Sequence, residues 1–308
     1  MNATSAVIPP KVWVIGRLCV AAVLFALIWI AADGVQIIQT LRQTNLALLC
    51  LAVGGLLTQT MLSAWRWKIT AARLGQSFSI THGIREYFIS QAVNQALPGG
   101  VVGDAARAVR ARADVGLGLS GLAVGLERLA GQIAMFVTFA CGFVVTRAGA
   151  GGLEWPGPIA RTIGWVMAVI IIGGLACLAF RGRVSAPNPD RVHWIQQAAD
   201  ALFSKDVLPA QIGLGLAITF CNLGAFGLCA WAIGAPLPIG VLCGLVPLVL
   251  LSMLVPITIS GWGVREGSAA LLLPIAGMLP SQAVATSVLF GVAMLLSALP
   301  GLILTVQK

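Results

Sequence analysis

QALPGGVVGDAARAVR, residues 95–110, interrupts a stretch that is otherwise apolar enough to enter a bilayer. Pro98 removes a helical donor, and Gly99, Gly100 and Gly103 permit backbone that other residues avoid. Asp104 and Arg107 then place charge where charge is costly. The segment is either a strained connection or a built break, and its surroundings decide which.

Of 308 residues, 58% are hydrophobic and 9% charged, with a mean hydropathy of +0.95. That excludes a water-soluble globule. Residues 43–65, 162–180, 207–264 and 267–307 contain no Asp, Glu, Lys or Arg, and the last two are each long enough for two crossings. Barrel strands would alternate and be short, so helices are expected. The reading is an all-α polytopic bundle of about seven to eight membrane segments, forming a single integral membrane domain over residues 1–308. Around residues 12–32, Lys11 and Arg17 precede an apolar stretch ending near Ala31 and Ala32 that is too long for a usual signal-peptide core and reads as the first span.

The seven cysteines lie in apolar runs without a CxxC pair, and His82 and His193 stand apart in polar connections. Neither a disulfide framework, a metal cluster nor a Ser/His/Asp arrangement is indicated, so no cofactor and no metal are expected. A net charge of +9 sits at helix flanks, which suits a membrane protein rather than a nucleic-acid partner.

Those flanks constrain the topology. Arg66, Lys68, Arg73 and Arg85 crowd one connection, Arg107, Arg110 and Arg112 a second, and Arg181, Arg183, Arg191 and Lys205 a third. Positive-inside reasoning wants all of them cytoplasmic, together with the N-terminus. This works only if 86–106 enters and returns to the same face, within a re-entrant motif at 86–112. Backbone of that kind needs protein or a water-filled cavity around it. The following spans are expected at about 118–146, 162–180, 207–232, 239–258 and 282–305. Residues 267–279 are too short to span comfortably. Between 181 and 206, Val192, Ile195, Ala199, Leu202 and Phe203 recur at helical spacing beside Trp194, the mark of an interfacial amphipathic helix. Trp65-Arg66-Trp67-Lys68 reads as an interfacial anchor, and Asp33 as solvated loop.

A second break occurs within 255–280. VPITISGWGVRE (255–266) follows the plan of LPGGVVGDAAR (97–107): a proline, glycines, then an acid and an arginine. Pro256, Gly261 and Gly263 thus match Pro98, Gly99, Gly100 and Gly103. Paired interruptions in the two halves point to an inverted internal repeat with a binding site at its interface. Between them, Glu127 and Arg128 fall mid-way along a membrane helix, where each must be paired or hydrated.

Asn94 to Arg107 (N-x-x-LPGG-x-x-GD-x-x-R), Glu127, Arg128 and Gly131 (E-R-x-x-G), and Gly261 to Gly267 (G-x-GVREG) together resemble the lysylphosphatidylglycerol synthase transmembrane region, the flippase-like domain family. The likeness covers about residues 10–305. Val102 departs from it, standing where a glycine is common. Larger members of the family add a soluble aminoacyl transferase domain. This chain resembles the flippase-like half, which implies translocation of a lipid with a polar or anionic head group. Some stand-alone members are associated with hopanoid or polyprenyl-linked glycolipid pathways.

The head-group residues expected from the matched motifs are Asp104, Arg107, Glu127, Arg128, Arg265 and Glu266. The arginines would hold phosphate, and the carboxylates would orient them or accept a cationic substituent. Two other readings stay open: a membrane-embedded transferase using Glu127 or Asp104 as general base, and a non-catalytic scaffold whose partners are lipid-biosynthesis enzymes. The expected setting is the bacterial cytoplasmic membrane, with a homo-oligomer left open.

Overall fold

A computed structural model describes residues 19, 22–23, 26–97, 100–149, 151, 153–180, 189–255, 258 and 260–306. Most of the expected first span, together with Pro98, Gly99 and Pro256, lies outside the described residues. Every described regular element is helical.

After helical residues 26–31, Asp33 caps α1 (Gly34–Arg42) by accepting a hydrogen bond from the Gln36 amide at 3.3 Å. The sequence reading had only a loop here. Ile37 gives α1 its buried face, packing with Val284 and Ala285 of the last helix. Asn45 caps α2 (Leu46–Arg73), its side chain accepting from the Ala47 and Leu48 amides. This helix continues past the expected end at Trp65, so Arg66, Lys68 and Arg73 are helical residues rather than a connection. Charge fails to end the span because Arg66 and Trp67 are buried against protein.

α3 (Ile80–Ala96) and α4 (Val102–Arg110) form a hairpin that turns back on itself. Its register is antiparallel: Glu86 meets Arg110 at 2.5 Å, Ser90 meets Asp104 at 3.0 Å, and the Asn94 side chain accepts from the Gly103 amide at 2.7 Å. Gly103 is obligatory in this contact, because a Cβ there would lie 2.1 Å from the Ser90 carbonyl oxygen. α5 (Gly116–Arg147), α6 (Gly157–Phe180), α7 (Pro189–Phe203) and α8 (Leu208–Ala232) follow.

The expected single span at 239–258 is broken. It consists of α9 (Ile239–Gly244), α10 (Val246–Leu251) and a 3₁₀ turn (Ser252–Leu254). Pro247 at the start of α10 has no amide to bond back to α9, which is the physical reason for the break. After residues 255–263 come α11 (Val264–Leu272), a 3₁₀ turn (Leu273–Ala276) and α12 (Pro280–Val306). α2, α5, α8 and Pro280–Thr305 of α12 are long and apolar enough to cross a bilayer.

The order long helix, broken hairpin, long helix therefore occurs twice: α2, α3/α4, α5, and then α8, α9–α10/α11, α12. The two copies run in opposite senses. The Asn45 amide at the start of α2 donates to the Ala232 carbonyl at the end of α8 (2.8 Å), and Gln211 at the start of α8 donates to Thr70 near the end of α2 (2.9 Å). Each closing helix packs on the other copy's ingoing segment through a glycine. A Cβ on Gly142 of α5 would lie 2.5 Å from the Cys243 carbonyl group, and one on Gly301 of α12 would lie 2.0 Å from the Phe88 oxygen.

The described basic connections share one end of the bundle. Gln76 donates to the Ala111 carbonyl at 2.7 Å, and Arg73 pairs with Asp206, holding that carboxyl below its ordinary range. Leu74, Ala123, Ala201 and Leu202 bury together there. α7 thus docks through Ala201 and Leu202, while Phe203, expected on its apolar face, is exposed.

Candidate functional site

The breaks in the two hairpins meet. Ser260 in the second donates to the Gln95 side-chain oxygen beside the first at 2.5 Å, 165 residues away in sequence. Since one hairpin starts from each end of the bundle, their tips converge at mid-depth. Beside this contact lies a cavity of about 260 Å³, lined by Gln95, Gly100 and Ser260 from the tips and by Arg66, Glu127 and Arg128 from the long helices.

Glu127 is the twelfth residue of α5, roughly 17 Å along the helix axis at about 1.5 Å per residue. It is fully buried, and its charge is met on several sides. Arg66 donates at 2.8 Å, the Tyr87 hydroxyl is 3.3 Å from both carboxylate oxygens, and Arg107 reaches it at 3.5 Å. Gly131, one turn beyond Glu127, makes room for this: a Cβ there would lie 2.9 Å from the Arg66 guanidinium.

Asp104 is the second carboxylate of the network. It accepts from Ser90 (3.0 Å), Asn94 (3.1 Å) and Arg107 (2.8 Å), and pairs with Arg128 at 2.8 Å. The Arg107 guanidinium is completely buried between two rings, 4.5 Å from the centre of Trp67 and 4.3 Å from that of Tyr87. Three arginines thus surround two carboxylates, leaving one positive charge in excess. The buried Nε and Nη1 of Arg66, Nε and Nη1 of Arg107 and Nε of Arg128 have no hydrogen-bond partner among the described residues.

The third motif forms a separate cluster. Arg265 binds Glu266 at 2.5 Å, donates to Ser287 at 3.0 Å, and lies near the rings of Trp262 and Phe290. Glu266 accepts from Ser287 at 3.1 Å and reaches back to the Gly263 amide at 2.6 Å, capping α11. Gly263 needs its freedom, having φ of +88°. Asp104 and Glu266 occupy the same place in the repeat, each being the third residue of a nine-residue helix. A carboxylate suits that position, where free amides and the helix dipole favour negative charge.

Of the six head-group residues expected from sequence, Asp104, Arg107, Glu127 and Arg128 come together. Arg265 and Glu266 do not join them. They lie behind Phe290 and Met294, outside the cavity wall, because adjacent opposite charges in a dry environment satisfy one another. Gly100 lines the cavity at φ +62°, and Gly261 turns the second tip at φ +77° against Met253. Among the described residues no group of three or more His, Cys, Asp or Glu could hold a metal ion.

Sequence reasoning missed Arg66, Trp67, Tyr87 and Ser90, and placed Asn94 in a motif without giving it a role. The reading of Trp65–Lys68 as an interfacial anchor is corrected for two of its residues, Arg66 being 3% exposed and Trp67 wholly buried, while Trp65 is exposed. Tyr87, the chain's single tyrosine, was the available signal.

Residues 14–301 match the family model of the lysylphosphatidylglycerol synthase TM region. The chain belongs to this family. No curated protein and no solved structure matches it. Membership in the lysylphosphatidylglycerol synthase TM family points to a role with membrane lipids in an integral membrane protein. It also gives the motif residues of the family a physical content here: Asp104, Arg107, Glu127 and Arg128 form one network, Gly103 and Gly131 allow it to close, and Glu266 caps α11.

Proposed function

We propose that this protein is a lipid translocase that holds a polar head group in the cavity between the hairpin tips while the acyl chains stay in the bilayer. One observation carries the reading: two oppositely directed broken hairpins meet at a cavity whose buried arginines have unused donors. Inverted repeats with discontinuous segments converging on a midplane site are how membrane transporters build a pocket that opens to either side. Arg66 and Arg128 face the ligand, with Glu127, Asp104 and Arg107 fixing their positions. Arg265 and Glu266 brace the second hairpin. Asp104 and Glu127 are saturated with donors, which disfavours the transferase reading in which one of them is a free general base. Positive-inside reasoning places the basic end of the bundle in the cytoplasm, with a bacterial cytoplasmic membrane as the setting and the N-terminus on the same side.

The test is reconstitution into vesicles carrying a fluorescent phospholipid, with leaflet exposure read by quencher. The protein should accelerate exchange over empty vesicles, and Arg66→Gln and Arg128→Gln should not. Exchange by both variants at the unmodified rate would sink the assignment.

A further inference from the structure

Resting on the head-group reading above, we propose that the lipid taken by this cavity has an anionic, hydroxyl-rich head group, a phosphodiester joined to a small polyol, and that a cationic aminoacyl head group is rejected.

The carboxylates come first, since a cationic head group would need one. Glu127 is engaged by Arg66, Tyr87 and Arg107, Asp104 by Ser90, Asn94, Arg107 and Arg128, and Glu266 by Arg265, Ser287 and the Gly263 amide. Glu127 is the one carboxylate lining the cavity among the described residues, and Arg66 and Arg128 outnumber it there. An ammonium group entering would meet net positive charge in a poorly solvated site, where repulsion is large. Arg66 Nε and Nη1 and Arg128 Nε, by contrast, are buried donors without an acceptor among the described residues. Buried polar groups are almost always satisfied, and guanidinium donors form strong, charge-assisted hydrogen bonds to phosphate oxygens.

The second observation concerns the rest of the wall. Gln59, Gln91, Gln95, Gln132 and Asn222 all line the cavity. The side chains of Gln91 and Gln132 make no hydrogen bond among the described residues. A primary amide both donates and accepts, as a hydroxyl does, whereas phosphate only accepts and an acyl chain does neither. Arginines beside a row of amides therefore suit a phosphate followed by hydroxyls. Size limits the polyol: about 260 Å³ falls below the roughly 300 Å³ at which pockets for drug-sized molecules begin. That accommodates a phosphate and a glycerol-sized group.

The experiment measures binding to the full chain in a polyoxyethylene detergent, which avoids competing sugar head groups. The probes are dioctanoyl forms of phosphatidylglycerol, phosphatidic acid, phosphatidylcholine and lysylphosphatidylglycerol. Phosphatidylglycerol should bind about tenfold or more tightly than the choline and lysyl lipids, with phosphatidic acid between. The double substitution Gln91→Leu, Gln132→Leu should erase the preference for phosphatidylglycerol over phosphatidic acid. Equal binding of the lysyl or choline lipid overturns the charge selection, and a preference retained in the double variant overturns the polyol contact; in both cases the lipid site itself stands. Binding by none of the four lipids sinks the site. Glycerophosphoglycerol is the arm for a soluble ligand: binding as tight as that of the lipid would reassign the pocket to a soluble anion.

Discussion

Ser260 and Gln95 join the tips of two hairpins that come from opposite ends of the bundle, the serine donating across 2.5 Å. Ser260 does so from a left-handed backbone conformation, φ +50°, which L residues adopt at a cost. Substitution can separate the bond from the backbone. Ser260→Val places a β-branched residue in that conformation and should cost about 1–3 kcal/mol, visible as a lowered thermal midpoint. Ser260→Gly relieves the backbone while deleting the hydroxyl. It should keep the midpoint and alter lipid exchange alone. A valine variant with an unchanged midpoint would show that the tip is free to rearrange.

The two charged clusters should respond differently. Arg265→Ala strands Glu266 in a fully buried site, a loss of about 3–5 kcal/mol for a broken buried pair, and calorimetry should show it directly. Arg128→Gln leaves Asp104 held by Arg107, Ser90 and Asn94. Its midpoint should move little while affinity for dioctanoyl phosphatidylglycerol falls about tenfold or more. A reversed pattern would assign the site to the second hairpin.

Glycine contacts give a purely steric test. Gly103→Ala drives a methyl into the Ser90 carbonyl and should destabilise the first hairpin by at least about 1–3 kcal/mol, since backbone on both sides blocks relaxation. Gly54→Ala on α2 is the control. Nothing lies within 4 Å of a Cβ there, and alanine in a helix interior gains about 0.5–1 kcal/mol over glycine. Thermal midpoints should therefore move in opposite directions.

Topology is checked by labelling single cysteines in a chain whose native cysteines are replaced. Ser77→Cys, just before α3, and Arg112→Cys, just after α4, are both exposed positions at the basic end and should react with an impermeant thiol reagent from the same face. Gly234→Cys, in the turn after α8, should react from the other. Opposite-face labelling of the first two would mean that the α3/α4 segment crosses completely.

The breaks, the repeated plan and most of the charged network were legible because glycine, proline and ionisable residues are informative inside a hydrophobic run. Arg66 was not. A charge at the end of a charge-free run looks like the membrane boundary, and what keeps it inside is Glu127, 61 residues further on, a distance no local pattern spans. Arg265 and Glu266 misled for the complementary reason. Their matched motif put them with the head-group residues, yet the long arginine side chain folds back onto its neighbour and the pair satisfies itself. Pro247 was visible in the sequence, but the apolar run around it is long enough to read as one span.

The exchange of closing helices has a consequence for biosynthesis. α3 is covered in part by α12, through the Gly301 contact, and α9 by α5 through Gly142. The earlier half of the chain is therefore inserted with one flank of its hairpin still bare, and it waits for α12 to be made before that flank is covered. Losing α12 would open a cavity whose charged residues lie more than 150 positions earlier in the sequence, while the two halves supplied as separate polypeptides carry the contacts that join them.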